Sequence, residues 1–323
     1  MIRPYLRRAK ALKNILLDHN YDSRRYFIHS QSGRSLLNPQ QLQGRLLQKA
    51  HSIEKGLSMP EPRDFFGLKA LRELEGLIRQ YEQRGLDENH ISIRKARGVI
   101  GAYFERHEGL EIPEEIARFR PLAKGLTTVP GIGTVELTRA GQAAAAAGDL
   151  ESVMRSRRST RIFAPGDVSS EDIQAAVSLA GTTPSVCNRQ SARVYSVRDP
   201  ELKEKMLALQ GGSRGFGHHI DTLLVVTSDM SNFRDGRERN QGFVDGGMFA
   251  MSLLLALHHR GLGTCPLNWS ADRTKNEKLI SLLSLPKTDL IIMMIGVGQL
   301  PEEFHVAASP RREISDLLIE LPA

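Results

Sequence analysis

The order of helical and strand-like segments predicts an α+β or α/β unit in the C-terminal half, behind an all-α N-terminal region. Three observations carry that expectation. Apolar residues recur at helical spacing from the first residues to about Lys124. After Asp149, short apolar runs bounded by turn residues alternate with helical segments. Between these regions, residues 127–148 hold a Thr-Thr-Val-Pro-Gly-Ile-Gly run and five consecutive alanines, Ala143 to Ala147, a composition suited to a boundary. A chain of 323 residues exceeds the usual single domain. It is therefore expected to divide into a basic helical region over residues 1–130, a linker over 131–148 and a second domain over 149–323.

In chain order, the first 20 residues place Ile2, Leu6, Ala9, Leu12, Leu16 and Leu17 at helical spacing, with Arg3, Arg7, Lys10 and Lys13 between them. This is a basic amphipathic helix, which either docks on its own protein or attaches to an anionic membrane surface or a partner. A transit peptide ranks lower, because the positive helical character continues past Gln40. Helices are expected over 40–55, 67–84, 88–106 and 113–124, separated by Gly- or Pro-containing breaks. The polar cluster from His51 to Leu57 reads first as a capped, solvated helix end and second as a binding element, and no chemistry is assigned to this half. The second domain reads as a helix ending at 157, a helix over 169–180, a strand over 193–197, a helix over 200–209, a strand over 222–227, a long apolar helix over 240–260, a helix over 273–283 and a strand over 290–297.

Hydrophobic residues make up 40% and charged residues 25% of the chain, and no apolar run approaches the roughly 20 residues of a membrane span. The two cysteines, Cys187 and Cys265, build no disulfide framework, so the expected setting is cytoplasmic, with peripheral attachment to a membrane left open. The net charge of +7 is uneven: residues 1–148 hold 24 Lys and Arg against 16 Asp and Glu, and the remainder 20 against 21. Such a basic half suits an anionic partner, whether lipid, nucleic acid or protein. With aromatics at 6% and no nucleic-acid motif, sequence-specific nucleic-acid recognition is not expected.

Three separated stretches suggest chemistry. Arg157, Arg158, Ser159, Thr160 and Arg161 set three guanidiniums and two hydroxyls within five residues, a donor set that fits a phosphate monoester, although a solvated basic turn has the same composition. Residues 181–190 form a loop in which Asn188 and Gln190 offer both donors and acceptors, as a planar heterocycle with carbonyl edges requires. A turn with polar residues bonded to its own backbone would read alike. The apolar helix ends in His258-His259-Arg260-Gly261-Leu262-Gly263-Thr264-Cys265-Pro266-Leu267-Asn268, where a glycine-rich turn leaves backbone open to a flat ring. The helix is apolar on nearly every face, which suggests a dimer interface.

These stretches, with Ile295 to Gly298 and Ser309-Pro310-Arg311-Arg312, resemble the nitroreductase family over residues 151–321. The resemblance implies a three-layer α/β/α domain of the α+β class and a homodimer with FMN at the subunit interface. It also implies ping-pong transfer from NADH or NADPH to a small-molecule electron acceptor such as a nitro compound or quinone. It assigns Arg157, Arg158, Ser159, Arg161 and Arg311 to the FMN phosphate and ribityl chain. Pro184, Ser185, Asn188 and Gln190 would border the ring from the partner or the same subunit, and Pro266, Leu267 and Asn268 would line its other face. No side chain is expected to act as a catalytic acid, base or nucleophile, because the flavin carries the chemistry.

The chain departs from the family pattern at Ser191-Ala192, where Pro-Trp is common, and at His218 to Asp221, where a small residue and proline are common. Both departures concern the substrate pocket. Residues 228–241, with Arg234, Arg237 and Arg239, read as a lid or pocket loop suited to an anionic substrate, or as a solvated loop. A nicotinamide-only Rossmann site is excluded because Gly211 to Gly217 follows a helix rather than a strand. The adjacent pairs His218-His219 and His258-His259 lack metal spacing and read as surface or interface histidines. Two alternatives remain: other flavin chemistry on the same fold, namely dehalogenation, azoline oxidation or flavin fragmentation, and a scaffold acting through the basic N-terminal half.

Overall fold

The computed structural model describes residues 2–29, 37–123 and 131–321. The chain divides into two compact units, one of residues 1–28 and 137–304, the other of residues 29–136 and 305–323. One boundary thus falls at Glu136 and Leu137, within the expected linker, and each terminal segment joins the unit made by the opposite half of the chain. Residues 127–130 of the boundary stretch lie outside the described residues, as do the side chains of Ile2 and Leu6.

The helical unit contains α2 (Pro39–Leu57), α3 (Leu68–Gln83), α4 (Ile91–Arg106) and the short α5 (Glu114–Ala117). Asn38 starts α2 with a capping box, its side chain accepting from the Gln41 amide while Gln41 returns the bond, and Pro39 supplies a preset first turn. Leu42, Leu46, Ala50 and Ile53 recur at helical spacing and meet Leu71, Leu74 and Ile78 of α3 and Ile93, Val99, Ile100 and Tyr103 of α4 in a closed core. The His51–Leu57 cluster departs from its reading as a solvated end. Glu54 is fully buried, paired with Lys95 at 2.9 Å, and accepts from His51. A buried carboxylate requires such partners.

The other unit holds α1 (Ile2–His29, its last residue in the helical unit), α6 (Arg139–Ala146), α7 (Leu150–Ser156), α8 (Ser170–Ala180), α9 (Pro200–Gln210), α10 (Gln241–His259) and α11 (Arg273–Leu282). Its strands are β2 (Ala192–Val197), β3 (Thr222–Asp229), β4 (Gly263–Asn268) and β5 (Asp289–Gly298), and they form one antiparallel sheet in the order β2-β3-β5-β4. A separate two-stranded ribbon pairs β1 (Thr134–Thr138) with β6 (Glu303–Ala307). The class is α+β, as expected.

Every residue of β3 is buried, so both faces of the sheet are covered. Leu224, Val226, Ile295 and Val297 face Ala176 and Ala180 of α8 and Ala250, Leu253 and Leu257 of α10. The alternate residues, including Leu223, Val225 and Met294, are fully buried on the opposite face, where Ile220 packs so close to Gly296 that a Cβ there would meet Ile220 at 2.6 Å.

Three features differ from the expectations above. The alanine run forms α6, with Gln142 and Ala146 buried, rather than an open linker. The N-terminal helix runs on to His29. Residues 263–268 form an edge strand rather than a turn; Pro266 is tolerated there because an edge strand leaves one side without a ladder to donate to.

Each unit carries its own core. Leu46→Ala and Leu253→Ala should each destabilise by about 2–5 kcal/mol. Hydrogen-exchange mass spectrometry should show lost protection concentrated in α2–α4 for the first and in α8, α10 and β3–β5 for the second. Identical exchange patterns in the two variants would contradict separate cores.

Candidate functional site

Two of the three stretches meet. Ser159 forms a parallel bridge with Thr264 of β4, and the Thr160 amide donates to the Thr264 carbonyl at 2.8 Å. Three residues past Thr160, Phe163 lies over Gly263 and Gly298, where a Cβ would sit 3.3 and 2.7 Å from its ring. Ala164 bridges Gln299. The Arg-rich segment is thereby stitched to the edge of the sheet from Ser159 to Ala164, and both glycines are required by the ring laid across them.

This arrangement buries Arg161, whose residue is 6% exposed. Its Nε is sequestered and finds no acceptor among the described residues, while one terminal nitrogen reaches the Ser159 carbonyl at 3.5 Å, a marginal bond. Arg157 caps α7, and Arg158 donates to the carbonyls of Arg155 and Arg157. On β4, Pro266 is half-buried and Asn268 exposed on the pleat shared with Thr264, whereas Leu267 turns the other way with Cys265 and is buried. Cys265 is thus a packing residue.

The remaining stretch is built elsewhere in the unit. Cys187, Asn188 and Gln190 take φ values of 49°, 54° and 51°, a left-handed conformation that side chains disfavour by about 1 kcal/mol or more each. The surroundings enforce it. The Ser185 hydroxyl accepts from the Gln190 amide at 2.9 Å, the Gln190 side chain donates to the Asn188 side-chain oxygen at 3.2 Å, and the Val186 amide donates to Asp245 of α10. Arg189 makes a two-pronged ion pair with Glu238 at 2.7 and 2.8 Å, which pulls the Glu238 carboxyl down to about 2. Pro184, Ser185 and Gln190 line a cavity of about 240 Å³ with Arg193, Asp245 and Phe249.

The two halves lie far apart in one chain. The loop leads into β2 and the Arg-rich segment rides on β4, and these are opposite edges of a four-stranded sheet, about 14 Å apart at the usual strand spacing. Their anchors on α10, Asp245 and His258, are separated by about 20 Å at 1.5 Å per residue. Arg311 belongs to the helical unit, where it is exposed and donates to the Ser309 carbonyl.

Asp245, Phe249, Arg193 and the Arg189–Glu238 pair were not singled out from sequence. The available signal was Asp245 itself, the lone carboxylate in an otherwise apolar helix. In the loop over 228–241, Arg237 pairs with Asp235 and Arg239 with Asp22, so two of its three arginines are held by carboxylates of the chain itself. Among the described residues no cluster of His, Cys, Asp and Glu is arranged to hold a metal.

Residues 154–212 and 208–299 match the family model described as Nitroreductase family, so the C-terminal half carries a nitroreductase-family domain. The chain is 30% identical over 144 residues to an FMN reductase (NAD(P)H) of Bacillus subtilis, covering 40% of this chain and 57% of that protein. It therefore spans little more than half the length of that relative. It is 22% identical over 196 residues to YdgI of the same organism, which carries the name NAD(P)H nitroreductase, covering 49% of this chain and 92% of the relative. Among solved structures, that of Bacillus megaterium NfrA2 aligns with a TM-score of 0.47 at 22% identity, covering 53% of this chain and 73% of that one.

Of the two positions read for His258, surface or interface, the first does not hold. His258 is buried, and its Nε2 lies 2.8 Å from the Ser156 hydroxyl, immediately before the Arg-rich segment, while His259 turns to the Ala146 carbonyl. Burial, followed by the charges of Arg157 and Arg158, holds the His258 pKa down to about 4. The unfolded chain takes up a proton below the ordinary value of 6.5 and the folded chain does not. His258 therefore imposes no proton-linked penalty above that value, and stability is lost as pH falls from 6.5 toward 4. Thermal denaturation should show a decline between pH 6.5 and 5 that is shallower in His258→Asn; equal slopes in the two proteins would contradict this environment.

Proposed function

We propose that the nitroreductase-family unit is an FMN-dependent oxidoreductase that works as a homodimer and transfers electrons from NADH or NADPH to a small organic acceptor. The observation that carries this reading is the buried Arg161, set against β4 with a guanidinium donor that has no acceptor among the described residues. An unmet charged donor in a water-poor site is costly, and a phosphate oxygen supplies an acceptor matched to the guanidinium fork. Arg157 and Arg158 lie close enough to the buried His258 to add to the lowering that burial imposes on it, which places their charges beside Arg161.

In this reading Arg157, Arg158, Ser159 and Arg161 hold the FMN phosphate and ribityl chain, with Arg311 as a further cation. Leu267, expected beside Pro266 and Asn268, faces the opposite side of β4 and is buried; Pro266 and Asn268 support one side of the ring. Pro184, Ser185, Asn188 and Gln190 border the other, on a loop whose strained backbone is fixed by Ser185, Asp245 and Glu238 before any ligand arrives. Bound FMN would supply two-electron chemistry, alternately reduced by the nicotinamide and reoxidised by a nitro compound, quinone or related acceptor in ping-pong order. The protein's part is position and electrostatics, with no side-chain acid or base assigned. The relative named FMN reductase (NAD(P)H) supports the same chemistry.

The placement of the two halves at opposite sheet edges supports a second copy that completes the site. Its docking surface is the outer face of α10, where Val244, Met248 and Met251 recur at helical spacing and are 51%, 41% and 40% exposed. Gly247 beside them has open space around it.

The purified protein should show flavin absorption bands after addition of FMN at micromolar concentration. Loss of charge-assisted hydrogen bonds in Arg161→Ala should weaken FMN binding about 10- to 100-fold, and Arg157→Ala with Arg311→Ala should abolish the bands. Met248→Glu with Met251→Glu should give a monomer that binds no flavin. A wild-type protein that remains colourless with FMN would contradict the proposal.

A further inference from the structure

α1 lies outside the site just described. It meets the rest of its unit along one edge: Asp22 pairs with Arg239 at 2.6 Å, Asp18 reaches the same guanidinium at 3.9 Å, and Ile15 sits so close to Gly236 that a Cβ there would meet it at 2.9 Å. That edge uses both carboxylates of the helix. What remains outward is cationic and apolar. Arg7, Arg8, Lys10, Lys13 and Arg24 are exposed, and so are Leu12 at 58%, Leu16 at 61%, Leu17 at 56%, Tyr21 at 58% and Phe27 at 68%.

At 3.6 residues per turn, Leu12, Leu16 and Phe27 fall within an arc of about 60°, roughly 120° around the helix from the edge of Ile15, Asp18 and Asp22. Leu17 and Tyr21 form a second ridge, and Lys13 and Arg24 stand between the two. A core-facing helix would turn its leucines toward Arg239 and Gly236; α1 turns a carboxylate edge there and leaves Leu12 and Leu16 outward, while Leu17 borders a cavity shared with Arg234 and Gly236. No helix among the described residues is long and apolar enough to cross a membrane.

We propose that α1 is an in-plane docking helix for an anionic lipid surface. Leucines and aromatics would enter the boundary between headgroups and acyl chains, while Lys and Arg, whose stems can lie along apolar surface, would extend their charges to anionic headgroups. Charge selects this occupant. A second copy of the same face would set like charges against like, whereas an anionic bilayer complements Arg8, Lys13 and Arg24, which flank the leucine arc.

The test is flotation of the full-length protein with vesicles of phosphatidylcholine alone and of phosphatidylcholine mixed with phosphatidylglycerol, with and without high salt, alongside sedimentation velocity without lipid. The wild type should float with the mixed vesicles, lose at least about tenfold in affinity on neutral ones, and be released by salt. Lys10→Glu with Lys13→Glu, and separately Leu12→Asn with Leu16→Asn, should each weaken flotation at least about tenfold while circular dichroism and sedimentation stay unchanged. Failure to float with anionic vesicles, equal binding to neutral ones, or retained flotation in the variants would overturn the proposal. A change of sedimenting mass in the leucine variant would overturn it too, by assigning the face to a second copy.

Discussion

The backbone pairing of Ser159 and Thr160 with Thr264 is the contact on which the candidate site depends. Without it, a run of three arginines in five residues would extend into water and bind nothing in particular. The pairing turns the run into a fixed edge, lays Phe163 across Gly263 and Gly298, and draws Arg161 beneath the surface. Sheet order then imposes the second constraint. With β4 at one edge and β2 at the other, the guanidinium cluster and the strained loop over 185–190 lie at opposite edges of the sheet in a single chain.

The polar groups around these two elements follow from burial. His258, beneath the arginines, stays neutral because taking up a proton would place another cation in a dry, positive environment. The loop is held by acids instead: Asp245 accepts the Val186 amide, and Glu238 takes both prongs of Arg189. Glu238 also accepts the Arg234 amide, and Arg239, one residue further on, reaches Asp22 of α1. The N-terminal helix and the strained loop are therefore held by two separate ion pairs that meet at the adjacent residues Glu238 and Arg239, although only the loop belongs to the proposed cofactor site.

Much of this fold was legible in the sequence. Period-3.6 stripes located α2, α3, α4, α8 and α9 within a few residues, and the buried strands β3 and β5 appeared as continuous apolar runs bounded by turn residues. What stayed hidden has physical reasons. Gly263 to Asn268 contains two residues that weaken strands, Gly263 and Pro266, and only the neighbouring β5 makes it one. The alanine run carries no amphipathic pattern, yet alanine is the best helix former, and α6 forms as soon as Thr138 caps it. Glu54 looked like a surface residue, and His258 like a surface or interface one, because single-sequence pattern reading cannot see a partner 41 or 102 residues away. In the site itself, the chemistry of the Arg-rich run and of the amide loop was readable from residue types, but their separation across the sheet was not, since it arises from strand order.

The central claim is that one functional site is assembled from Arg161 of one copy and Asn188 and Gln190 of another. The most direct measurement is complementation between copies. Arg161→Ala chains and Asn188→Ala, Gln190→Ala chains, each deficient in FMN binding, are refolded together and titrated with FMN. If the halves come from different copies, each mixed dimer contains one intact site and one doubly damaged site, and FMN binding reappears at one equivalent per mixed dimer. If both halves belong to the same chain, every site carries one lesion, and no binding beyond that of the separate variants would contradict the account.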